Sequence, residues 1–386
     1  MKRFLIGFVV LLAIAMIGWV WYGGHARAEF ERTVAELRAQ GFTLASMEEL
    51  DPEVPDERNA AILLRRAENR RIDLKLDFLD LAPEEAASVV RAADEYFALL
   101  LQAVALPEAD FEIEWTQGGG LMWEPFELTS LANQALEARA GVLDPAGSHE
   151  ARLRLANLLE RPLGMALIFR ATILTGVAPE IARLPNAIES RERFDALLRG
   201  CDDPSRLEDA LHGEVALAVN VLERVVDGRA PIPIRLPRLL VDPLLCRSST
   251  QSLLDQRDDY RIALGADGAA LDRLERKGPL RLPAWETSAG SGQRGMLLIL
   301  RQELEARAQL RLARIVLAVR ASHERDGRWP DSLEPLFPEG VPVDPYERKP
   351  FTYDPGKRIV GGDPGIGRGV AYDLTQSHAD RPVQHR

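Results

Sequence analysis

The chain contains few of the residues and motifs that common protein chemistries require. Of its 386 residues only Cys201 and Cys246 are cysteines, and no C-x-x-C pair occurs, which argues against a structural zinc site. G-K-[ST], G-x-S-x-G and H-E-x-x-H are also missing, so the sequence has no P-loop, no hydrolase nucleophile elbow and no zincin motif. Motifs alone therefore predict no catalytic, cofactor-binding or metal-binding residue.

The sequence also lacks an excess of positive charge. Asp and Glu outnumber Lys and Arg by 59 to 48, and the formal net charge is −11. A nucleic-acid-binding protein needs a basic face to neutralise phosphate groups. The composition therefore argues against DNA or RNA as a partner and predicts an acidic, solvated surface.

Three short patterns resemble catalytic or ligand-binding motifs but lack the neighbouring elements or residues that those motifs require. Residues 290–295, GSGQRG, match G-x-G-x-x-G, but no strand precedes them, so an interhelical loop is the better interpretation. His212 and Glu214 can act as base and acid, yet they lie in a strong helical pattern without a nucleophile. Glu112 and Glu114 can form a carboxylate pair, but a glycine-rich loop is favoured there. We expect all three to be structural.

The long hydrophobic run of the sequence lies near its N-terminus. It starts at Phe4 and ends at Tyr22, and its 19 residues carry no charge. A helix of that length is about 30 Å long, which matches the hydrocarbon core of a bilayer. Lys2 and Arg3 precede the run, and aromatic residues crowd its far end. The positive-inside rule then predicts a single-pass cell-membrane protein, with residues 1–27 as cytoplasmic tip and signal-anchor and the bulk of the chain outside the cytoplasm.

A cleaved signal peptide is the alternative interpretation of this run. Residues 26–28, Ala-Arg-Ala, fit a small-x-small cleavage site, and cleavage near Ala28 would release a secreted protein. The hydrophobic part of a signal peptide is about 7–15 residues long, so the longer run favours an uncleaved anchor. Residues 23–28, GGHARA, are predicted to separate the span from an amphipathic helix at residues 28–40.

An extracytoplasmic location leaves two roles open for the cysteines. In an oxidising compartment Cys201 and Cys246 can pair as a disulfide. Two well-separated cysteines are equally typical of small, buried hydrophobic side chains. The sequence does not decide between these two roles.

Helical periodicity dominates residues 28–293, which we predict to be an extracytoplasmic helical domain. One clear apolar stripe has spacings of three and four: Leu207, Leu211, Val215, Ala218, Leu222 and Val225. Residues 163–169, LGMALIF, are apolar on every side and predict a central helix. Proline-rich residues 229–245 are expected to cross the bundle in an extended conformation, and residues 278–293 to form a second break. The predicted fold class is mainly α, a helical bundle or irregular helical array behind a transmembrane helix.

Residues 294–374 are predicted to be a long helix followed by a small α+β end-piece. The helix covers about residues 295–324, and Gly327 ends it. Asp331 is predicted to cap a short second helix through a capping box. The final residues, 375–386, are expected to form a disordered tail.

Prolines and aromatic residues give the end-piece its predicted shape. Residues 329–353, WPDSLEPLFPEGVPVDPYERKPFTY, contain six prolines, which favour turns and extended segments. Residues 354–357, DPGK, separate two short β-prone runs and predict a hairpin. We expect this segment to be structural, with Trp329 burying its ring where the chain turns back.

Short motifs in this region resemble a known family. The runs LARIVLAVRASHERDGRWPDSLEPL and VPVDPYERKPFTY contain the patterns G-x-[YW]-P, S-L-x-x-L and D-P-[WFY] after a long helix. Over residues 306–360 they resemble the C-terminal half of type II secretion pseudopilins. The residues that carry this structural signature are Trp329, Pro330, Asp344, Pro345, Phe351 and Tyr353.

The whole chain looks more like a family of uncharacterised, single-span, membrane-anchored helical bacterial proteins that carry such a tail, and PDERNAA at residues 55–61 resembles that family as well. The resemblance implies no established activity. A pseudopilin has its prepilin cleavage motif directly before its membrane helix, whereas GFTL at residues 41–44 follows the predicted span. Asp363 and Asp373 offer too few carboxylates for a pseudopilin-like calcium loop.

These observations favour a non-enzymatic, membrane-anchored extracytoplasmic scaffold or interaction protein, which contacts the membrane through the run from Phe4 to Tyr22. A protein partner is expected but not identified by the sequence. One alternative, suggested by the tail, is an accessory factor of a secretion or pilus-like system. The other is an enzyme whose site is assembled from residues far apart in the chain.

Overall fold

The structure is a computed structural model that describes the chain in segments. The described residues are 2–43, 45, 53–78, 83–111, 123–159, 163–185, 187–229, 238–277, 291–361 and 371–374. Several predicted features therefore lie outside the described residues: Glu112, Glu114, Asp363, the tail at residues 375–386 and most of the second break.

Helices make up most of the described chain, in agreement with the predicted mainly α class. They are α1 (Lys2–Ala39), α2 (Ala60–Asp73), α3 (Pro83–Ala92), α4 (Asp94–Ala105), α5 (Trp123–Val142), α6 (Pro145–Asn157), α7 (Gly164–Ala182), α8 (Ala187–Cys201), α9 (Ser205–Val226), α10 (Arg238–Ala263), α11 (Gly268–Lys277) and α12 (Ser291–Asp326). Because α12 begins at Ser291, most of the G-x-G-x-x-G match lies in its first turns and not in a loop.

The first helix runs without interruption from Lys2 to Ala39, so the predicted break at residues 23–28 is wrong. Each glycine costs a helix about 1 kcal/mol relative to alanine. Ala26 and Phe30 are only 3% and 2% exposed, because this part of α1 packs along α10. Burial of that face offsets the cost of the two glycines.

The two halves of α1 have different surroundings. In the second half the predicted apolar stripe is confirmed, since Phe30, Val34 and Leu37 are all buried. The first half contains the predicted span, and its described large apolar side chains are mostly exposed: Leu11, Ile14, Met16, Ile17, Val20 and Trp21. The side chains of residues 4–10, 12 and 13 lie outside the described part of the structure.

Two long helices, α7 and α12, form the centre of the body. α12 packs mainly on α7 and α8, and Leu304, Leu310 and Leu317 on α12 have no exposed surface. The predicted central run LGMALIF forms the start of α7, which confirms that prediction. Among the described residues α7 is the helix that is long and apolar enough to cross a membrane, but 61% of its apolar window is buried inside the protein. Such burial is typical of a core helix.

The proline-rich connection is shorter than predicted. Residues 238–245 were expected to be extended, but they form the first turns of α10. Pro243 lies inside this helix at its sixth position, where the missing N–H removes only one early helical hydrogen bond. Residues 230–237 lie outside the described part of the chain.

The C-terminal end-piece comprises residues 327–361 and 371–374. Gly327 ends α12 as predicted and has a φ of 68°, a left-handed conformation that favours glycine. The predicted second helix is only a 3-10 turn, Glu334–Leu336. Asp331 does not cap it, because the residue at the cap position is Leu333 and no side chain donates or accepts a capping bond there.

A small antiparallel sheet closes the end-piece. β1 (Thr352–Asp354) and β2 (Ile359–Gly361) form the predicted hairpin, and Asp354 Oδ1 accepts a hydrogen bond from the Lys357 amide at 2.9 Å in its turn. β3 (Ala371–Asp373), which the sequence did not reveal, pairs with β2. The sheet order is β1-β2-β3, and β2 packs against α12.

Candidate functional site

His212 and Glu214, the sequence's candidate base and acid, contact different parts of the body. His212 Nε2 lies 3.2 Å from the carbonyl oxygen of Gly41, and its ring stacks on Phe42 at 4.6 Å. Glu214 Oε1 accepts a hydrogen bond from the amide of Gly164 at 3.0 Å, at the start of α7. Burial raises the pKa of the Glu214 carboxyl, and the bond from Gly164 opposes that rise. His212 thus fixes the end of α1, and Glu214 fixes the start of α7.

The two cysteines are buried thiols, and no disulfide joins them. Cys201 ends α8, and its Sγ lies 3.3 Å from Asn157 Oδ1. Cys246 lies on α10, and burial raises the pKa of its thiol. A raised pKa and a buried sulfur both make a thiol less reactive. Their surroundings in this structure fit the second alternative, in which both cysteines are small, buried side chains.

A charged stripe runs along one face of α12. Its members follow one another at spacings of four, four and three, which places them on one side of a helix: Glu303, Arg307, Arg311 and Arg314. Asp202, just after α8, joins two of them, because Arg307 Nε and Arg311 Nε donate to its two oxygens at 2.8 and 2.6 Å. The stripe therefore fixes the chain between α8 and α9 to the central helix.

The last residue of the stripe links α12 to both α8 and the end-piece. Arg314 Nε donates to Asp195 Oδ1 at 2.9 Å and Arg314 Nη2 lies 3.6 Å from Glu339 in the end-piece. Arg199 pairs with the same two acids. Burial alone would raise the pKa of the Asp195 carboxyl, but the bonds from Arg314 and Arg199 lower it below its usual range. This four-residue cluster, the α8 clamp, consists of Asp195, Arg199, Arg314 and Glu339.

The first residue of the stripe belongs to the most deeply buried ion pair among those described. Glu303 is 0% exposed and Arg170 on α7 is 1% exposed, with Arg170 Nη1 lying 3.5 Å from Glu303 Oε2. Burial raises the pKa of the Glu303 carboxyl, while Arg170 and Arg307 oppose that rise. Arg170 also donates to the carbonyl oxygen of Cys201. Removing one partner of a buried pair typically costs about 3–5 kcal/mol, because the other charge is left buried without an opposite charge.

A second buried cluster joins α5, α6 and α7. Arg152, only 2% exposed, donates to Glu180 Oε2 at 2.7 Å and to Asn133 Oδ1 at 2.9 Å. His149 Nδ1 lies 3.5 Å from the same oxygen of Glu180. His149 is 1% exposed, so a substrate cannot reach it unless the helices separate. His, Glu and Arg therefore serve here as a polar link between helices.

Sequence reasoning did not find these buried charges. Their partners are 133 and 28 residues apart for Arg170–Glu303 and Arg152–Glu180, so no local spacing reveals the pairing. A signal was present at Arg170, which interrupts the apolar run LGMALIF-R-ATIL. An arginine in a helix predicted to be central must find a buried partner.

The described residues form three surface grooves with the size of a small-ligand or side-chain site, one of which is a mostly apolar groove of about 320 Å³ beside Phe126 and Phe169. The α1–α9 groove has a volume of about 550 Å³ and an apolar floor that includes Phe30 and Val34. Its rim is charged, and the charges pair across it: Arg27 Nη2 lies 3.0 Å from Asp227 Oδ1, and Arg38 Nη2 lies 2.6 Å from Glu223 Oε2. Phe30 and Val34 are only 2% and 4% exposed, so the surface that a partner can reach is mainly the charged rim and Ala35.

Another groove, between α4, α6 and α8, has a volume of about 320 Å³ and a lining of similar polarity. Glu150 lines this groove and pairs with Arg154 at 2.8 Å and also with Arg193. Arg139 pairs with Asp144 at 3.6 Å. Each of these charged groups thus has an opposite charge on the protein itself, which does not favour binding of a charged substrate.

The residues of the pseudopilin-like signature lie together in the end-piece. Trp329 stacks on His323 at 4.0 Å, with Arg358 at 5.8 Å from its ring, and it is partly buried rather than enclosed. Pro330 beside it is partly buried too, whereas Phe351 is buried. Burial raises the pKa of the Tyr353 phenol on β1.

Asp344 and Pro345 shape a loop that packs on the helical body. Asp344 Oδ1 accepts a hydrogen bond from the Tyr346 amide at 2.7 Å, which fixes the turn, and Pro345 is buried in it. Tyr346 O accepts a bond from the Gly268 amide at 2.9 Å, at the start of α11. A Cβ on Gly268 would come within 2.8 Å of that oxygen, so the close approach requires glycine. These contacts are structural in kind.

In the part of the chain that the structure describes, no three His, Cys, Asp or Glu side chains form a group able to hold a metal ion. Comparisons of the chain with family models, with curated proteins and with solved structures found no match.

Proposed function

We propose that the protein is a membrane-anchored interaction protein whose helical body lies outside the cytoplasm. The observation that carries this proposal is the contrast in exposure along α1. Ile17 and Trp21 in its first half are 69% and 74% exposed, although the helix around them is continuous and apolar. The hydrocarbon core of a bilayer would remove such side chains from water. Their burial there is favourable by about 25 cal/mol per Å² of apolar surface.

The charges next to the span support its orientation. Lys2 and Arg3 precede the apolar run, and Trp19 and Tyr22 lie close together at its far end, with ring centroids 5.9 Å apart. Basic residues favour the cytoplasmic side, and aromatic residues favour the membrane–water interface. Both features fit a cytoplasmic N-terminus and a body on the opposite side.

The chemistry of the body supports binding over catalysis. The candidate base His212 contacts Gly41 and Phe42, and the buried charges hold helices together. In the α1–α9 groove Ala35 is exposed beside the charged rim, at the place where a protein partner is proposed to bind. A protein partner is therefore the proposed ligand.

Alkaline extraction of membranes tests the anchor. The full chain should stay in the membrane pellet, whereas a variant with Leu11→Asp, Ile14→Asp and Ile17→Asp should move to the supernatant, since each central Asp costs roughly 2.5–3.5 kcal/mol on insertion. The control carries Leu143→Asp, Ile188→Asp and Leu264→Asp, which alter apolar residues of the body that are 49%, 47% and 41% exposed. It should stay in the pellet. Release of the unmodified chain, or retention of the α1 variant, contradicts the proposal.

Photo-crosslinking in cells tests the binding role. A photoreactive amino acid at Ala35, which lines the α1–α9 groove, should give a crosslinked protein band. The same amino acid at Ile188, which is 47% exposed on α8, should not give that band. A secretion component in the band would favour the accessory role suggested by the tail. Equal crosslinking at both positions, or none at Ala35, argues against a partner in this groove.

A further inference from the structure

The start of α10 lies directly beside α1, where the predicted span ends. Arg247 Nη1 donates a hydrogen bond to the hydroxyl of Tyr22 at 3.0 Å. A Cβ added to Gly23 would come within 2.9 Å of Pro243 Cγ, so only glycine lets the two helices approach this closely. Gly23, which looked like a helix break in the sequence, instead makes room for α10.

The two helices then run side by side in the same direction. Pro243 lies beside Gly23, and near the other end Tyr260 of α10 meets Phe42, just after α1, with ring centroids 5.3 Å apart. α10 therefore has one end beside the predicted span and the other end far from it. At 1.5 Å per residue, positions 244 and 264 are about 30 Å apart along the helix direction.

This geometry sets the depth of the start of α10 relative to a bilayer. If the hydrocarbon core ends near Tyr22, the headgroup layer is about 5–8 Å thick on that side and covers roughly the next four residues of α1. Pro243 lies beside Gly23 at that level, whereas the backbone of Arg247 lies about 6 Å further along the parallel helices and its guanidinium reaches back to Tyr22.

The exposed face at this level has the chemistry of a lipid contact. Between residues 241 and 247 the exposed side chains are Leu244, at 49%, and Arg247, which are three residues apart and so on one face of the helix. The stacked rings of Trp21 and His25, 6.0 Å apart, lie on α1 at the same level. An apolar side chain enters the acyl boundary, and a guanidinium binds lipid phosphate.

We infer that residues 241–247, the interfacial segment, rest in the headgroup layer of the membrane that holds the anchor, with phospholipid as their ligand. This inference rests on the proposed anchor. It adds a second contact between body and membrane, beside the continuous helix α1 that joins the span to the body. The α1–α9 groove, which begins at Arg27 only a few residues beyond Tyr22, then opens just above the headgroups.

Fluorescence quenching by lipid tests the depth. The full chain carrying Leu244→Cys, Leu264→Cys or Leu11→Cys is labelled with bimane and reconstituted in phosphatidylcholine vesicles containing brominated chains. Leu264, 41% exposed beyond the far end of α10, is the matched control for Leu244. The parent chain, whose two cysteines are buried, gives the background labelling. We expect strong quenching at 11, and quenching at 244 severalfold greater than at 264.

The other outcomes separate the two proposals. Strong quenching at 11 with equal quenching at 244 and 264 overturns the interfacial segment and leaves the anchor intact. Weak quenching at 11 overturns both. A second measurement replaces Arg247 with Gln in the Leu244→Cys chain and adds phosphatidylglycerol to the vesicles. Anionic lipid should increase quenching at 244 only when Arg247 is present, and an equal increase in both chains overturns the assigned role of Arg247.

Discussion

The first half of α1 and the C-terminal end-piece both lie outside the pair of central helices, α7 and α12. They differ in how far their apolar side chains are exposed. In the end-piece Leu333, Phe337 and Phe351 are each 5% exposed, because the body covers them. In α1 the described apolar side chains, such as Leu11 at 67% and Ile17 at 69%, have no such cover. A segment whose apolar surface is covered by its own chain is part of the fold, whereas one that leaves it exposed needs a different environment.

The largest expected effect comes from truncating a covered aromatic ring. Phe337→Ala should lower the free energy of unfolding by about 3–5 kcal/mol, because a buried ring leaves a cavity. Ile17→Ala should change it by less than about 0.5 kcal/mol, because no protein atoms surround that side chain. Urea unfolding of detergent-solubilised full-length protein, followed by circular dichroism, measures both. A large effect of Ile17→Ala would mean that the first half of α1 packs on the body.

A substitution in the α8 clamp should have the second largest effect on the free energy of unfolding, and this effect should depend on pH. Asp195→Asn should cost about 1.5–3 kcal/mol at neutral pH, the usual value of hydrogen bonds to a charged group. The folded-state pKa of Asp195 is lowered, so its stabilisation is full above the unfolded value of about 3.9 and is lost as the pH falls below it. The difference between the two proteins should therefore shrink in acid.

The exposed charge pair on α1 should contribute less to the free energy of unfolding than the α8 clamp. Glu31 is 62% exposed and pairs with Arg27 at 2.9 Å, so Glu31→Gln should cost at most about 1 kcal/mol. Chemical denaturation of both variants across this pH range makes the comparison. A cost for Asp195→Asn that does not change with pH would show that the carboxylate charge does not hold the end-piece.

Trp329 and Trp21 allow a smaller but closely matched comparison. Trp329 is partly buried against His323 and Arg358, whereas Trp21 is 74% exposed. Trp329→Ala should cost about 1–2 kcal/mol, less than for an enclosed ring, because part of its surface already faces water. Trp21→Ala should leave the melting temperature in detergent unchanged. If Trp329→Ala has no effect on melting, residues 329–353 are a binding loop instead of a structural segment.

Local patterns in the sequence were sufficient to predict part of the local structure. The apolar stripe of α9 needed only spacings of three and four, and the hairpin at residues 354–357 needed only turn residues between β-prone runs. Both depend on neighbours in the chain. The mainly α class followed from the same periodicity.

Two of the wrong predictions have a structural explanation. Gly23 and Gly24 indicated a break, but packing of Ala26 and Phe30 on α10 keeps α1 continuous. Pro243 indicated an extended crossing, but it lies early enough in α10 for the helix to include it.

The buried charges could be predicted only in part. Arg170 in an apolar helix requires a buried acid, but the sequence does not identify Glu303 among many glutamates. The grooves could not be predicted from the sequence either, because each is assembled from helices that are distant in sequence.

Topology reporters test the central claim most directly. An alkaline phosphatase, active only outside the cytoplasm, and a β-galactosidase, active only inside, are each fused after Arg386 of the full chain. The account predicts an active phosphatase and an inactive galactosidase, and the reverse when residues 4–22 are deleted. Galactosidase activity in the undeleted fusion, without phosphatase activity, would contradict an extracytoplasmic body held by the first half of α1.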